Sequence, residues 1–365
     1  MPHRNSGVGK PTSSLITPGN SMTGTDPLAL LDPNYRPNDL HDRQHTKRIL
    51  TTAFSDLQGT NFYLYGPRGT GKTHLVEHAL SHSPSGNSFY IPCITHDTQY
   101  KVLEQMYTLS ANVDLNPGYH TAQLQDKITQ RLSNTDTMVI LDEVDFLLEN
   151  DGGDLLYFLS RLNRTPKLNI VAISANLPSL SGTIDERTYS SLRPRTLHVE
   201  PYSEETASDI LEHRAEKALS AEAFDTKAIN QITSITTNLK LGLCWLTIAA
   251  EHSEDVITHD VIWTTQTEAV QFYRNKLLTK LTPHHQVLLA AVDQLTNGRT
   301  STYTGQLYDR YTDLCNPTDY EPLTARRISD YISHLDFLNL ITVTHHPGGE
   351  TGKTREIRLT PLEEL

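Results

Sequence analysis

The chain has 365 residues, room for two or three domains, and its 37% hydrophobic and 20% charged content supports a packed core and excludes wholesale disorder. Its net charge of −12 argues against a wholly basic nucleic-acid coat, though not against a local basic face that meets phosphates. No apolar run approaches the ~18 residues of a membrane span, and Cys93, Cys244 and Cys315 form no CxxC pair, which points to ordinary thiols in a cytoplasmic protein.

Residues 1–24 carry Pro, Ser, Gly and Thr without the apolar stretch of a secretory signal and read as a disordered tail. Turn signals around Pro33 and Pro37 precede a helix expected to begin near His41. Strands are expected over 61–65, 88–91, 137–141, 168–173 and 196–199. Between them Tyr100, Leu103, Met106 and Tyr107 share a helical face, as do Leu124, Ile128 and Leu132, and 155–162 reads as helical. The unbroken run TMVIL at 137–141 fits a parallel strand covered on both faces. The alternation over 60–200 therefore indicates an α/β core with helices on both faces of a parallel sheet.

From Ser203, an N-cap signal, the chain turns helical to about Lys280. Pro283 opens a new segment with helices expected over 284–295, 303–314 and 323–338, an apolar stretch 340–343, a turn-rich stretch 345–352 and a last strand 355–359. Three helices and a hairpin describe a winged helix. The expected architecture is a P-loop core at 25–200, a helical lid at 201–280 and a winged-helix DNA-binding domain at 281–365.

Gly66, Pro67, Arg68, Gly69, Thr70, Gly71, Lys72 and Thr73 spell GxxxxGK[ST] between a strand and a helix, the context that gives the pattern its meaning. The glycines let main-chain N–H groups turn inward around phosphate oxygens, and the helix N-terminus adds positive dipole. Lys72 is expected at the β- and γ-phosphates of ATP, Thr73 on Mg²⁺, and His74 beside them. Asp142 and Glu143 end the strand at 137–141. Asp142 is expected to hold Mg²⁺ through water and Glu143 to polarise the attacking water, with Asp145 structural. Asn176, after the next strand, reads either as a polar sensor that orients water or as a turn cap.

The last domain counts seven Lys/Arg against eleven Asp/Glu, yet its basic residues cluster. Arg326 and Arg327 lie early in the third helix, and Lys353, Arg355 and Arg358 in or after the hairpin. Thr324, Arg326, Arg327 and Ser329 could reach base edges or phosphates, and Lys353 and Arg355 a minor groove or backbone. The alternative is a set of solvated charges on a protein–protein winged helix.

With these motifs placed, the chain resembles the AAA+ ATPases and, more narrowly, the archaeal origin-recognition (ORC-type) DNA replication initiators. The resemblance runs from about Leu31 to Leu359. It is carried by LDPNYRP from Leu31 with Arg43, GPRGTGKT, ILDEVD from Ile140, YFLSRLN from Tyr157, PYS from Pro201, ILEHRA from Ile210, YDRY from Tyr308 and PLTARRISD from Pro322. The last stretch is the most specific of these.

The resemblance implies Tyr202 and Arg214 at the nucleotide, and Lys240 in the second-sensor stretch, where the family normally carries Arg. Arg187 and Arg193 flank the region of a trans-acting arginine, with neither singled out. Residues 114–124 fall where these initiators insert a DNA-contacting element. The implied activity is a slow ATP-to-ADP switch that binds double-stranded origin DNA and helps recruit the replicative helicase. Other initiator paralogues are further partners, there is no membrane, and the location is cytoplasmic and nucleoid-associated. A regulatory or plasmid-borne paralogue that does not initiate replication, and a clamp-loader-like ATPase, stand as rivals.

Overall fold

The apolar runs pair side by side and in one direction. In the computed structural model they form five parallel strands, β1 (Phe62–Tyr65), β2 (Asn87–Pro92), β3 (Thr137–Asp142), β4 (Leu168–Ser174) and β5 (Arg195–His198), in the order β2-β3-β4-β1-β5. The structure describes residues 27–365 except 38–39, 57–58, 83–86, 112–117, 151, 163–167, 220–221, 254, 298–299, 317–319 and 350–351; of 27, 56, 347–349 and 352–354 it describes the backbone alone. The tail expected at 1–24 and residues 114–117 of the stretch 114–124 thus lie outside the described residues; the rest of that stretch runs into the helix Thr121–Leu132.

Side chains alternate across the sheet. Phe62, Leu64, Met138, Ile140, Val171 and Ile173 face α1 (Gln44–Asp56) and α2 (Lys72–Ser81). Tyr63, Val139, Leu141, Ile170 and Ala172 face the opposite way, toward Val102, Leu124 and Leu155 of α3 (Gln99–Ala111), α4 (Thr121–Leu132) and α6 (Gly152–Leu162). Every residue of β3 and β4 is buried, as helices on both faces require. The short helices α5 (Val144–Leu148) and α7 (Glu186–Leu192) follow β3 and precede β5. The edge strand β5 is largely exposed and carries Arg195 and His198, polar groups that blunt an open edge.

Two boundaries differ from the sequence reading. The helix expected near His41 starts at Gln44, because Asp42 and Arg43 take left-handed φ of 59° and 68°. Arg43 is held there by its bond to Glu200 O at 2.5 Å and by its guanidinium over the Tyr202 ring at 4.1 Å. The stretch read as turn-rich at 345–352 carries antiparallel pairs, His345 with Arg355, His346 with Thr354 and Gly349 with Gly352, with an irregularity between His346 and Gly349; residues 350–351 of it lie outside the described residues.

The lid comprises α8 (Glu204–Ala218), α9 (Thr226–Ile235), α10 (Leu239–His252) and α11 (His259–Leu278). Ser203 caps α8 by accepting from Thr206 N at 3.1 Å. The lid core forms around the fully buried Trp245, whose Nε1 donates to Ile262 O at 2.9 Å, and takes in Leu31 from the N-terminal segment. Beyond it, α12 (Pro283–Thr296), β6 (Thr302–Tyr303), α13 (Thr304–Cys315), α14 (Ala325–Phe337), β7 (Ile341–Gly349) and β8 (Gly352–Leu359) make a winged helix with the sheet order β6-β8-β7. No helix among the described residues is long and apolar enough to cross a membrane.

Inside the winged helix His285 of α12 is 2% exposed. Its ring stacks on Tyr331 at 3.8 Å, its Nε2 lies 3.1 Å from His334 Nδ1, and its Nδ1 lies 2.9 Å from Thr282 Oγ1. Burial, then the neighbouring His334, push its pKa from 6.5 down to about 3. Below pH 6.5 the unfolded chain takes up a proton that the folded one refuses, so stability falls as pH drops from about 6.5 toward 3. Urea midpoints should show the stability gap between wild type and His285→Gln shifting by about 2 kcal/mol in favour of the variant from pH 7.5 to pH 5. A gap independent of pH would contradict this account.

Candidate functional site

Three neighbouring strand ends build the site. The loop Gly66–Thr73 follows β1, Asp142 and Glu143 end β3, and Asn176 follows β4; β3, β4 and β1 are adjacent in the sheet, and ligands of open parallel sheets sit at such carboxyl ends. The loop bends through Gly69 and Gly71 at φ of 79° and 82°, a region L side chains rarely adopt. A Cβ at Gly69 would stand 2.0 Å from Asn238 Oδ1, and one at Gly71 2.8 Å from Tyr202 Oη. The close approach of lid and core to the loop therefore requires glycine at both positions.

Lys72, 8% exposed, donates from Nζ to Gly66 O and Pro67 O, each at 2.6 Å. Burial, then the nearby Arg68, push its pKa down to about 7, offset in part by Asp142. Such an ammonium, bonded to two carbonyls and, at 3.4 Å, to the Thr70 hydroxyl, all neutral groups of its own loop, would gain from an anionic phosphate. Thr70 braces the turn by donating to Pro67 O at 3.0 Å.

Thr73 Oγ1 donates to Asp142 Oδ2 at 2.9 Å, and Tyr90 Oη of the adjacent β2 donates to the same oxygen at 2.5 Å. This places the hydroxyl and carboxylate oxygens that can hold a cation side by side. Glu143 takes a left-handed φ of 55° at the start of α5, a strained backbone of the kind found at functional sites. Its Oε1 lies 2.8 Å from Arg68 Nη1. Burial works to raise its pKa, but Arg68 first, then Lys280 and Lys240, hold it below the ordinary carboxylate value.

Asp145 is 1% exposed and accepts from Ser174 Oγ at 2.8 Å and from Ala175 N and Asn176 N, both at 3.1 Å. It fixes the turn that aims Asn176. Asn176 Nδ2 donates at 2.6 Å to Phe337 O, which also accepts from Arg68 Nε at 3.1 Å and Nη2 at 2.9 Å. The end of α14 thus closes one side of the site.

The cleft beside the loop is open to solvent and has a cavity volume of about 130 Å³. One wall is the N-terminal segment with Tyr35, Pro37 and Leu40; the facing wall is the lid with Ile210, Leu239 and Leu243. These apolar surfaces suit a flat base, with the polar loop below for phosphates. Lys240 lines the lid side, where burial, partly offset by Glu143, holds its pKa below the ordinary value. Tyr202 lies at the junction of core and lid. Arg214 lines the cleft but spends its guanidinium on the N-terminal segment: Nε donates to Leu30 O at 2.7 Å, and Nη2 to Leu30 O and to Asp32 O at 3.1 Å. His74 Nε2 donates to Pro37 O at 2.9 Å, and burial pushes its pKa to about 4, which keeps it neutral.

In the winged helix, Thr324, Arg326 and Arg327 are exposed at the N-terminal end of α14. Arg355 Nη2 donates to Ser329 Oγ, so this pair braces β8 against α14. The side chain of Lys353 lies outside the described residues. Arg187 packs over the Tyr157 ring at 4.1 Å, and Arg193 Nε donates to Ser190 O at 3.1 Å.

Sequence reasoning missed the N-terminal wall, Tyr90 on Asp142 and Phe337. The motif Leu31–Pro37 signalled the first without assigning it. Phe337 acts through its main-chain oxygen, which no side-chain pattern marks.

Two family models match, an AAA domain over residues 56–176 and the CDC6 C-terminal winged helix domain over 276–364. The ORC1-type DNA replication protein of Pyrococcus horikoshii is 31% identical over 361 residues, covering 90% of this chain and 86% of that protein. The ORC1-type DNA replication protein 1 of Sulfolobus acidocaldarius is 29% identical over 359 residues, covering 92% and 90%. Among solved structures, the Aeropyrum pernix ORC1 protein in complex with DNA superposes with a TM-score of 0.71 at 26% identity, covering 91% of this chain and 93% of that one. The Aeropyrum pernix ORC2 protein, in ADPNP–ADP complexes, shares the fold with a TM-score of 0.53 at 20% identity.

Replacing Lys72 by Ala removes the ammonium at the centre of the loop. Nucleotide affinity, read by titration with a fluorescent adenine nucleotide, should fall at least about a hundredfold, the loss of one strong charge-assisted contact. Equal affinities would remove Lys72 from the binding site.

Proposed function

This chain belongs to the family of ORC1-type DNA replication proteins, and from that membership we propose that it is an ATP-switched initiator that binds duplex origin DNA. The observation that carries the reading is the joining of a built phosphate cradle and a basic-ended winged helix in one chain. Relatives that match along nine-tenths of its length bear the name ORC1-type DNA replication protein.

On this reading the main-chain amides of Gly69 to Thr73 hold the phosphates of ATP and Lys72 meets the β- and γ-phosphates. The apolar walls of the cleft take the adenine. Thr73 and Asp142, already 2.9 Å apart, are the residues that would hold Mg²⁺, which supplies charge neutralisation at the phosphate oxygens. Glu143 takes a proton from the attacking water and Asn176 orients it. Lys240 reports from the lid as a point charge rather than a planar fork. Hydrolysis is slow, and the bound state does the signalling.

Arg326 and Arg327, exposed at the start of α14, meet DNA phosphates or base edges there, with Thr324 beside them. The Ser329–Arg355 pair holds the wing at a fixed angle to that helix, and Lys353 is a further basic residue of the wing for the DNA backbone. The same reading gives the replicative helicase and other initiator copies as partners, and a cytoplasmic, nucleoid-associated place of work.

Two measurements test the proposal. Glu143→Gln should bind ATP like wild type and release phosphate at less than about one-hundredth of its rate; unimpaired release would take Glu143 out of the chemistry. Arg326→Ala should weaken DNA binding and lower the slope of log K against log salt by about one. An unchanged slope would take Arg326 off the DNA face, and an origin footprint indifferent to ATP would leave a DNA-binding paralogue that is not switched.

A further inference from the structure

The last carbonyls of a helix have no partner within it and carry partial negative charge. In α14 the carbonyl of Phe337, the final helical residue, is captured by two residues of the nucleotide site. Arg68 reaches it with Nε and Nη2 at 3.1 and 2.9 Å, and Asn176 with Nδ2 at 2.6 Å. The remaining terminal nitrogen of the same guanidinium, Nη1, holds Glu143 Oε1 at 2.8 Å. One buried arginine, 8% exposed, therefore ties the end of a winged-helix element to the carboxylate at the end of β3.

The seat of α14 is itself a packed contact. Phe337 meets Phe146 of α5 edge-on at 5.6 Å, and His334, one turn earlier, meets the same ring at 5.2 Å. Phe146 lies only three residues after Glu143, and the helix begins about 20 Å away at Ala325, next to the exposed Arg326 and Arg327. A rigid helix so placed cannot leave its seat without releasing Arg68 and Asn176 together.

We propose that Arg68 is a positioning residue that clamps Glu143 while α14 is seated, so that ATP hydrolysis requires α14 to lift from the site. The clamp explains a feature the loop motif does not demand, an arginine at its third position whose three donor nitrogens are all engaged outside the loop, on Phe337 O and Glu143 Oε1. It rests on the reading of Glu143 as the residue that activates water. Seated, Glu143 is committed to the guanidinium. Unseated, Arg68 loses the carbonyl that fixes its side chain, and the carboxylate is free to take up water.

The test compares steady-state ATP hydrolysis and fluorescent-nucleotide affinity for the full chain and three variants. Arg68→Gln should raise kcat at least about threefold with nucleotide affinity unchanged within about twofold. Arg68→Lys, which restores a cation, should return kcat toward wild type. Phe337→Ala leaves the cleft intact and weakens only the seat, and it should raise kcat alike; combined with Arg68→Gln it should add nothing further. A lower kcat in Arg68→Gln at unchanged affinity would mean that Arg68 acts on the phosphates and would overturn the clamp. So would an unchanged kcat in Phe337→Ala, or rates for both variants no higher than that of Glu143→Gln. Wild-type hydrolysis by Glu143→Gln would instead sink the role assigned to Glu143. Melting curves for each variant separate loss of fold from loss of clamp.

Discussion

Two missing side chains let this molecule close around its phosphate loop. Gly69 lies against Asn238 and Gly71 against Tyr202 at distances that leave no room for a methyl group. Asn238 is also the cap of α10, its Oδ1 accepting from Lys240 N at 3.1 Å while its Nδ2 donates to Tyr273 Oη at 3.1 Å. The residue that touches the loop, two residues before Lys240, therefore also sets where the lid helix begins. A shift of the loop on filling with phosphates has no slack to absorb it before it reaches the lid, since packed interiors move between discrete arrangements rather than deforming smoothly.

The parts of this structure that were legible in the sequence are those where chemistry or burial restricts residue type over a contiguous run. Loop 66–73 needs glycine, lysine and a hydroxyl at fixed spacing, and β3 and β4 need apolar residues throughout because both faces are covered. The winged helix was legible from its three amphipathic helices. What escaped depends on tertiary contact. The start of α1 moved because Arg43 is pulled onto Glu200 and Tyr202. The pairing of the wing reaches further than expected because a polar, glycine-bearing stretch can still enter an antiparallel ladder, as at His346 with Thr354 and, past an irregularity, Gly349 with Gly352. The charge of Arg355 is plain in the sequence, but it says nothing of the bond to Ser329, 26 positions away. Tyr202, Arg214 and Lys240 came from resemblance, since an arginine or lysine on a helix carries no local mark of a cleft.

Charge placement explains how a chain of net −12 can still present a local basic face. What decides the matter is placement at the ends of one helix. The first turn of α14 adds exposed Arg326 and Arg327 to the positive end of the helix dipole, a combination that favours anions. Its other end, negative by the same dipole, faces a guanidinium. The dipole is thus matched by Arg68 at the C-terminal end, while at the N-terminal end Arg326 and Arg327 add to its positive charge and leave that end in need of an anion.

The size of the contact at Phe337 suits a switch. Hydrogen bonds to charged donors contribute about 1.5–3 kcal/mol each, and two from Arg68 with one from Asn176 share a single acceptor, so their sum stays well below three independent bonds. Coupling between sites in proteins commonly amounts to about 1–3 kcal/mol, enough to change a population five- to 150-fold. A seat much stronger than that would keep α14 fixed whatever bound at either end; one much weaker would leave the cleft and the winged helix independent. Because α14 is a single rigid element with one end in each site, whatever free energy DNA spends in moving it is felt at Arg68, and whatever nucleotide spends in moving Arg68 is felt at the DNA face.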